Sequence, residues 1–113
     1  MKIYLIKEKA TQKQISEMLE CLESYIKVAV DIKQKILVGG GELHADCESV
    51  LLDHGSTQED IWGANWYPEE KQVTFEAILN IAPRRNNRSM EIQDPKIREQ
   101  VGKIVKSLLD VHQ

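Results

Sequence analysis

His44 is the side chain in this chain best suited to moving a proton. Glu42 lies two residues before it and Asp46 two residues after, with Cys47 and Glu48 next in line. An imidazole titrates near neutral pH, and a neighbouring carboxylate can hold its orientation. His44 with Glu42 or Asp46 therefore has the makings of a general base. On a helix His44 also stands one turn from Cys47 and Glu48, a spacing that lets two ligands face one metal ion. A third ligand would have to come from elsewhere, such as His54 or Asp60, and the apolar stripe draws Cys47 towards the core. Two scattered ligands fall short of a metal set, so no metal and no cofactor is assigned.

Three other groupings suit an anion or a polar patch. Gly39-Gly40-Gly41 ends the apolar run Ile36-Leu37-Val38 and opens a helix, whose free backbone N–H groups favour a negative group. The run lacks the lysine and hydroxyl of a phosphate loop and the spacing of a dinucleotide fingerprint. Glu42 stands where an anion would approach, and a tight strand-to-helix turn explains the glycines without a ligand. Further on, Arg84, Arg85 and Arg88 are interleaved with Asn86, Asn87 and Ser89. Guanidinium forks and amide donors suit carboxylate or phosphate, although a solvated basic loop paired with acidic neighbours needs no ligand. Finally, Asn65, Thr74, Glu76 and Asn80 share one face of a hairpin bordered by Gln58 and Asp60. Asparagine is disfavoured inside strands, so this face reads as a hydrogen-bonded polar patch.

The elements that must position these groups follow from periodicity. Residues 2–6 form a short strand at a sheet edge. Thr11 and Gln14 have capping-box spacing, and Ile15, Met18, Leu19 and Leu22 form the buried stripe of a first helix. Residues 25–32 alternate, with Ile26, Val28, Val30 and Ile32 opposite Tyr25, Lys27, Ala29 and Asp31, which predicts a half-buried strand. Lys33-Gln34-Lys35 turns the chain into a return strand at 36–38. The second helix runs from about Leu43 to Asp53, with Leu43, Cys47, Val50 and Leu51 on its buried face. Gly55 stops it, and the helix dipole accounts for His54.

Residues 60–67 and 72–81 make a second hairpin around the turn Pro68-Glu69-Glu70-Lys71. This turn predicts Trp66 opposite Val73, Asn65 opposite Thr74, Ala64 opposite Phe75, Gly63 opposite Glu76 and Trp62 opposite Ala77. Both tryptophans then face the core. Residues 82–93 form a polar connector, long enough for a functional loop. Asp94-Pro95 caps a last helix, whose stripe is Ile97, Val101, Ile104, Val105 and Leu108. Gly102 in that helix hints at close packing. The order β-α-ββ-α-ββ-α fits an α+β fold, a largely antiparallel sheet of two hairpins with helices packed on one face.

The 113 residues fit a single domain spanning 1–113. A net charge of −3 and a pI near 5.6 provide no basic field for nucleic acid or an anionic membrane. The apolar start is too short for a signal peptide or membrane span, and the expected location is the cytoplasm. Cys21 and Cys47 both sit on apolar stripes and read as buried thiols rather than a disulfide. A homodimer is expected only on the general frequency of such assemblies.

Three blocks carry a resemblance over nearly the whole chain. They are the run from Gly39 to Asp46 (GGGELHAD), the run from Gly55 to Asn65 (GSTQEDIWGAN) and the run from Asn87 to Ile92 (NRSMEI). Together they resemble a family of small prokaryotic proteins known only as a domain of unknown function. The resemblance implies no activity, cofactor or catalytic residue.

The residues themselves point to a module that recognises a small anionic group through Gly40, Gly41, Arg84, Asn87, Arg88 and Ser89. The alternative is a small hydrolase, metal-assisted or not, with His44 as general base and Glu42 or Asp46 orienting it. Arg88 would then stabilise developing negative charge.

Overall fold

The computed structural model describes residues 2–76 and 94–111. The strand expected beyond Glu76, the pairing of Trp62 with Ala77, and the connector with Arg84, Asn87, Arg88 and Ser89 lie outside the described residues.

Five strands form one antiparallel sheet in the order β1-β3-β2-β4-β5. They are β1 (Tyr4–Ile6), β2 (Ile26–Asp31), β3 (Ile36–Gly39), β4 (Ile61–Tyr67) and β5 (Gln72–Glu76). The helices are α1 (Gln12–Met18), α2 (His44–Asp53) and α3 (Pro95–Leu109), and a 3-10 turn at Gln58–Asp60 leads into β4. The class is α+β, in the expected order.

The local signals fix their elements. The Thr11 hydroxyl oxygen accepts from the Gln14 amide at 3.1 Å, and the Thr11 amide donates in return to Gln14 Oε1 at 2.9 Å. Asp94 caps α3 by accepting from the Lys96 amide at 2.9 Å. Beyond α2, Gly55 (φ 105°) donates to the Leu52 carbonyl and Ser56 to that of Leu51, the paired bonds of a Schellman motif. The second hairpin has the anticipated register, with Trp66 opposite Val73, Asn65 opposite Thr74, Ala64 opposite Phe75 and Gly63 opposite Glu76.

Helix placement corrects one expectation. The helices do not share a face. On one side α1 and α3 bury Ile26, Val28, Val30, Leu37, Trp62, Ala64 and Trp66. On the other, α2 packs against Ala29, Ile36, Val38 and Ile61 through Cys47 and Leu51. Strand β2 is consequently buried on both faces, with Ala29 and Asp31 as enclosed as Val28 and Val30. The sequence reading made it half-buried because alanine and aspartate look like a solvent face. Alanine instead leaves room for a helix, and Asp31 is satisfied internally.

The chain from β3 reaches β4 by way of α2, passing over β2. Strands β3 and β4 both run antiparallel to β2, so α2 is a crossover between strands pointing the same way. The side chain of its first residue, His44, reaches Ala64 and Asn65 on β4, and Ser56 just past its end reaches Asp31 at the β2–β3 turn. Among the described residues, no helix is long and apolar enough to cross a membrane.

Candidate functional site

The glycine turn decides where α2 is set down. Gly40 has φ 101°, and a Cβ there would overlap the Lys2 carbonyl oxygen, so no other residue fits. Its amide donates to the Lys27 carbonyl at 3.3 Å. A Cβ on Gly41 would sit 3.1 Å from Asp46 Cβ and 3.2 Å from Cys47 Sγ, so the chain here lies against the first turn of α2. Both glycines are buried.

Leu43 is extended and donates its amide to Asp46 Oδ2 at 3.1 Å. Asp46 thereby satisfies a free N–H at the helix start and places negative charge at the positive end of the dipole. Leu43 itself is 56% exposed, which corrects its place in the buried stripe. His44, Cys47 and Leu51 are the residues α2 buries. Because the helix begins one residue later than expected, the histidine turns inward in place of the leucine.

His44 is 4% exposed, and its Nε2 lies 3.0 Å from the Ala64 carbonyl oxygen and 3.1 Å from Asn65 Oδ1. A carbonyl only accepts, so Nε2 carries a proton and donates it. That proton in turn directs the Asn65 oxygen towards the ring. In the neutral tautomer the lone pair is then on Nδ1. The Asn65 amide nitrogen donates to Thr74 Oγ1 at 3.1 Å. Having accepted, the exposed Thr74 hydroxyl still has its own proton to give. A histidine on α2 and two polar residues of the second hairpin, separate groupings in the sequence, thus form one chain of hydrogen bonds.

The strand register extends this chain sideways. Lys27 is opposite Asn65, and Asn65 is opposite Thr74. Opposed residues on neighbouring strands stand about 5 Å apart, so Lys27, Asn65 and Thr74 make a row across β2, β4 and β5 on the α2 face. Lys27 is half-buried, and its carbonyl holds the Gly40 amide. In the next row Tyr25 and Tyr67 stack, with ring centroids 5.1 Å apart and planes 14° from parallel. The sequence reading put Tyr25 and Lys27 on one strand face but gave neither a role. Their alternation with Ile26 and Val28 was the available signal.

Glu42 is exposed. Gln58–Asp60 precede the other end of β4, near the β2–β3 turn, where Asp60 accepts from the Ile32 amide at 3.0 Å. Four residues of strand, roughly 13 Å, separate Ile61 from Asn65, so this turn does not border the His44 chain. Cys47 donates its thiol towards the Lys27 carbonyl at 3.7 Å, and burial pushes its pKa up to about 11. It is therefore a protonated packing residue, not a nucleophile. Cys21 is also a free thiol. No cluster of three or more His, Cys, Asp or Glu suited to a metal occurs among the described residues.

A second buried polar cluster lies beyond the other end of α2. Asp31, 1% exposed, accepts from the amides of Lys33 (2.9 Å) and Gln34 (3.0 Å), the Gln34 side chain (2.9 Å) and the Ser56 hydroxyl (2.7 Å). Burial alone would raise its carboxyl pKa. The four donors outweigh that and hold it below the ordinary aspartate value.

No curated protein and no solved structure matches the chain. The model of one family, described as a protein of unknown function (DUF5674), matches residues 4–108. That span contains the glycine turn, α2 and all the described strands, and by it the chain belongs to the DUF5674 family.

Proposed function

We propose that this chain is a binding module for a small anionic group, taken up on the α2 face over the row Lys27–Asn65–Thr74. The observation that carries the reading is that row, with His44 holding its middle member. Lys27 supplies a cation, Thr74 supplies a hydroxyl donor, and Asn65 is fixed between them by His44. Donors held in place before binding lose little freedom when the ligand arrives. Gly40 and Gly41 contribute by setting α2 down, and Arg84, Asn87, Arg88 and Ser89 enter the proposal by their chemistry alone, guanidinium forks and amide and hydroxyl donors suited to an anion. Calorimetric titration of phosphorylated metabolites tests it on wild type, Lys27→Met and Arg88→Ala. Wild type should bind, and Lys27→Met should weaken binding about tenfold, the effect of one charge-assisted hydrogen bond. Absence of wild-type binding, or equal binding by all three, overturns it.

The hydrolase reading draws support from one contact. The Nε2 of His44 is held by the Ala64 carbonyl and Asn65 Oδ1, so the strand fixes the orientation of the ring. Asn65 then fills the orienting role expected of Glu42 or Asp46. Turnover of ester and phosphoester substrates, abolished by His44→Gln, is the expected result. Sensitivity to a chelator would mark the metal-assisted version, and turnover unchanged in His44→Gln would remove His44 as the base.

A further inference from the structure

We infer that the anion is carried on a planar aromatic ring, as in a mononucleotide, and that this ring stacks on Tyr67. The inference rests on the anion-binding reading above and names its ligand class. Tyr25 and Tyr67 form a half-buried stacked pair on the α2 face, immediately beside the Lys27–Asn65 pair. Each tyrosine is two residues along its strand from a member of the row, a separation of roughly 6.6 Å. Across β5, Gln72 is opposite Tyr67 just as Thr74 is opposite Asn65, and both are exposed. A ring laid over Gln72 would extend the tyrosine stack on the outer side of Tyr67. An anionic substituent one strand-step away would meet the Thr74 hydroxyl.

Each part of the arrangement has its own chemistry. Stacking on an aromatic face is tolerant of base identity and needs little polar readout. The row provides the charge and a fixed donor. Neither alone would select an aromatic anion over a sugar phosphate or a neutral nucleoside. Side by side at this spacing they would favour the ligand that carries both groups.

The test uses the intact chain and three probes: adenosine 5′-monophosphate, ribose 5-phosphate and adenosine. The nucleotide should bind at least tenfold tighter than ribose 5-phosphate, with intermolecular nuclear Overhauser contacts between base protons and the Tyr67 ring. Tyr67→Leu should bring the nucleotide down to the ribose 5-phosphate level and leave ribose 5-phosphate unchanged. Tyr67→Phe should retain the preference, because it keeps the ring. If ribose 5-phosphate binds in a Lys27-dependent way but the nucleotide binds no tighter, the stacking inference is overturned and the anion site stands. If neither phosphate binds, both readings are overturned. Should Tyr67→Leu fail to fold, the wild-type preference and the base-to-ring contacts decide the matter.

Discussion

Helix α2 meets the sheet through buried polar contacts at both ends, and the two ends differ in what they leave over. Just past its C-terminus, Ser56 donates to Asp31, whose two oxygens already accept from Lys33 and Gln34. Every donor in that cluster comes from the hairpin turn or the helix end, and the carboxylate has four. At the N-terminus, His44 donates to Asn65, Asn65 donates to Thr74, and the chain ends on an exposed hydroxyl. The first cluster is closed on itself and its chemistry is spent on folding. The second runs from the interior to the surface and arrives there with a donor and a neighbouring lysine. Buried polar groups are costly unless satisfied, so both clusters stabilise the fold, but only the open one has something to offer a ligand.

The comparison predicts its largest stability effect at the closed end. Asp31→Ala leaves the buried Ser56 hydroxyl and three part-buried donors of Lys33 and Gln34 without their acceptor. By the loss of one buried and three part-buried hydrogen bonds to a carboxylate, stability should fall by about 3 kcal/mol in urea unfolding. The same residue sets an acid limb. The folded carboxyl titrates below its unfolded value, so the unfolded state binds the proton first as pH falls. The stability Asp31 contributes is present above about pH 4 and is lost as pH drops through the lower folded value. Asp31→Asn should flatten that limb in thermal melts between neutral and acid pH. A limb of unchanged steepness would show that Asp31 is not the group responsible.

At the open end the expected cost is smaller. His44→Ala removes one buried donor shared by two acceptors and should lose about 2 kcal/mol. His44 and Asn65 touch directly, so their alanine variants should not add. The double variant should fall short of the sum by about 1 kcal/mol. Strict additivity would mean that the 3.1 Å contact contributes nothing to stability.

Much of the fold was readable because its determinants are local. A four-residue turn sets the β4–β5 register, Thr11 and Gln14 cap α1 from three residues apart, and Gly55 ends α2. The site depends on contacts across 20 residues or more. His44 meets Asn65 only because α2 crosses β2 on the face away from α1 and α3. Nothing in the apolar stripe of α2 tells which face it will cover. Leu43 made that stripe misleading, since its extended backbone turns the leucine outward and the histidine inward. Two signals were present and underused. Asn65 was placed in a hydrogen-bonded polar patch opposite Thr74 but not joined to His44, and Asp31, two residues ahead of Lys33 in the polar turn, was given a solvent-facing place rather than the role of acceptor for that turn.

A control away from α2 sharpens the comparison. Gly102 lies in α3, on the opposite side of the sheet, and a Cβ there would meet the Phe75 ring at 3.4 Å and 3.7 Å. That is ordinary contact, so the close packing hinted at by the sequence does not exclude a methyl group. Gly102→Ala should raise stability by about 1 kcal/mol through helix propensity. It should leave ligand binding unchanged, whereas a loss of stability would mean that Phe75 cannot yield.

The smallest stability effect belongs to the position where the open cluster reaches the surface. Thr74→Val keeps the β-branched shape favoured in strands and removes the hydroxyl. The Asn65 amide loses its acceptor, but at an exposed position water can replace it, so urea unfolding should shift by no more than about 0.5 kcal/mol. Anion affinity should nevertheless drop about fivefold, the effect of one neutral hydrogen bond. This dissociation between stability and binding is what separates an open cluster from a closed one. At Asp31 stability should change greatly without any ligand present, while at Thr74 the consequence should appear on titration. If Thr74→Val instead destabilises the fold as Asp31→Ala does and leaves binding untouched, the His44 chain is a second closed cluster, and the α2 face holds no site at that end.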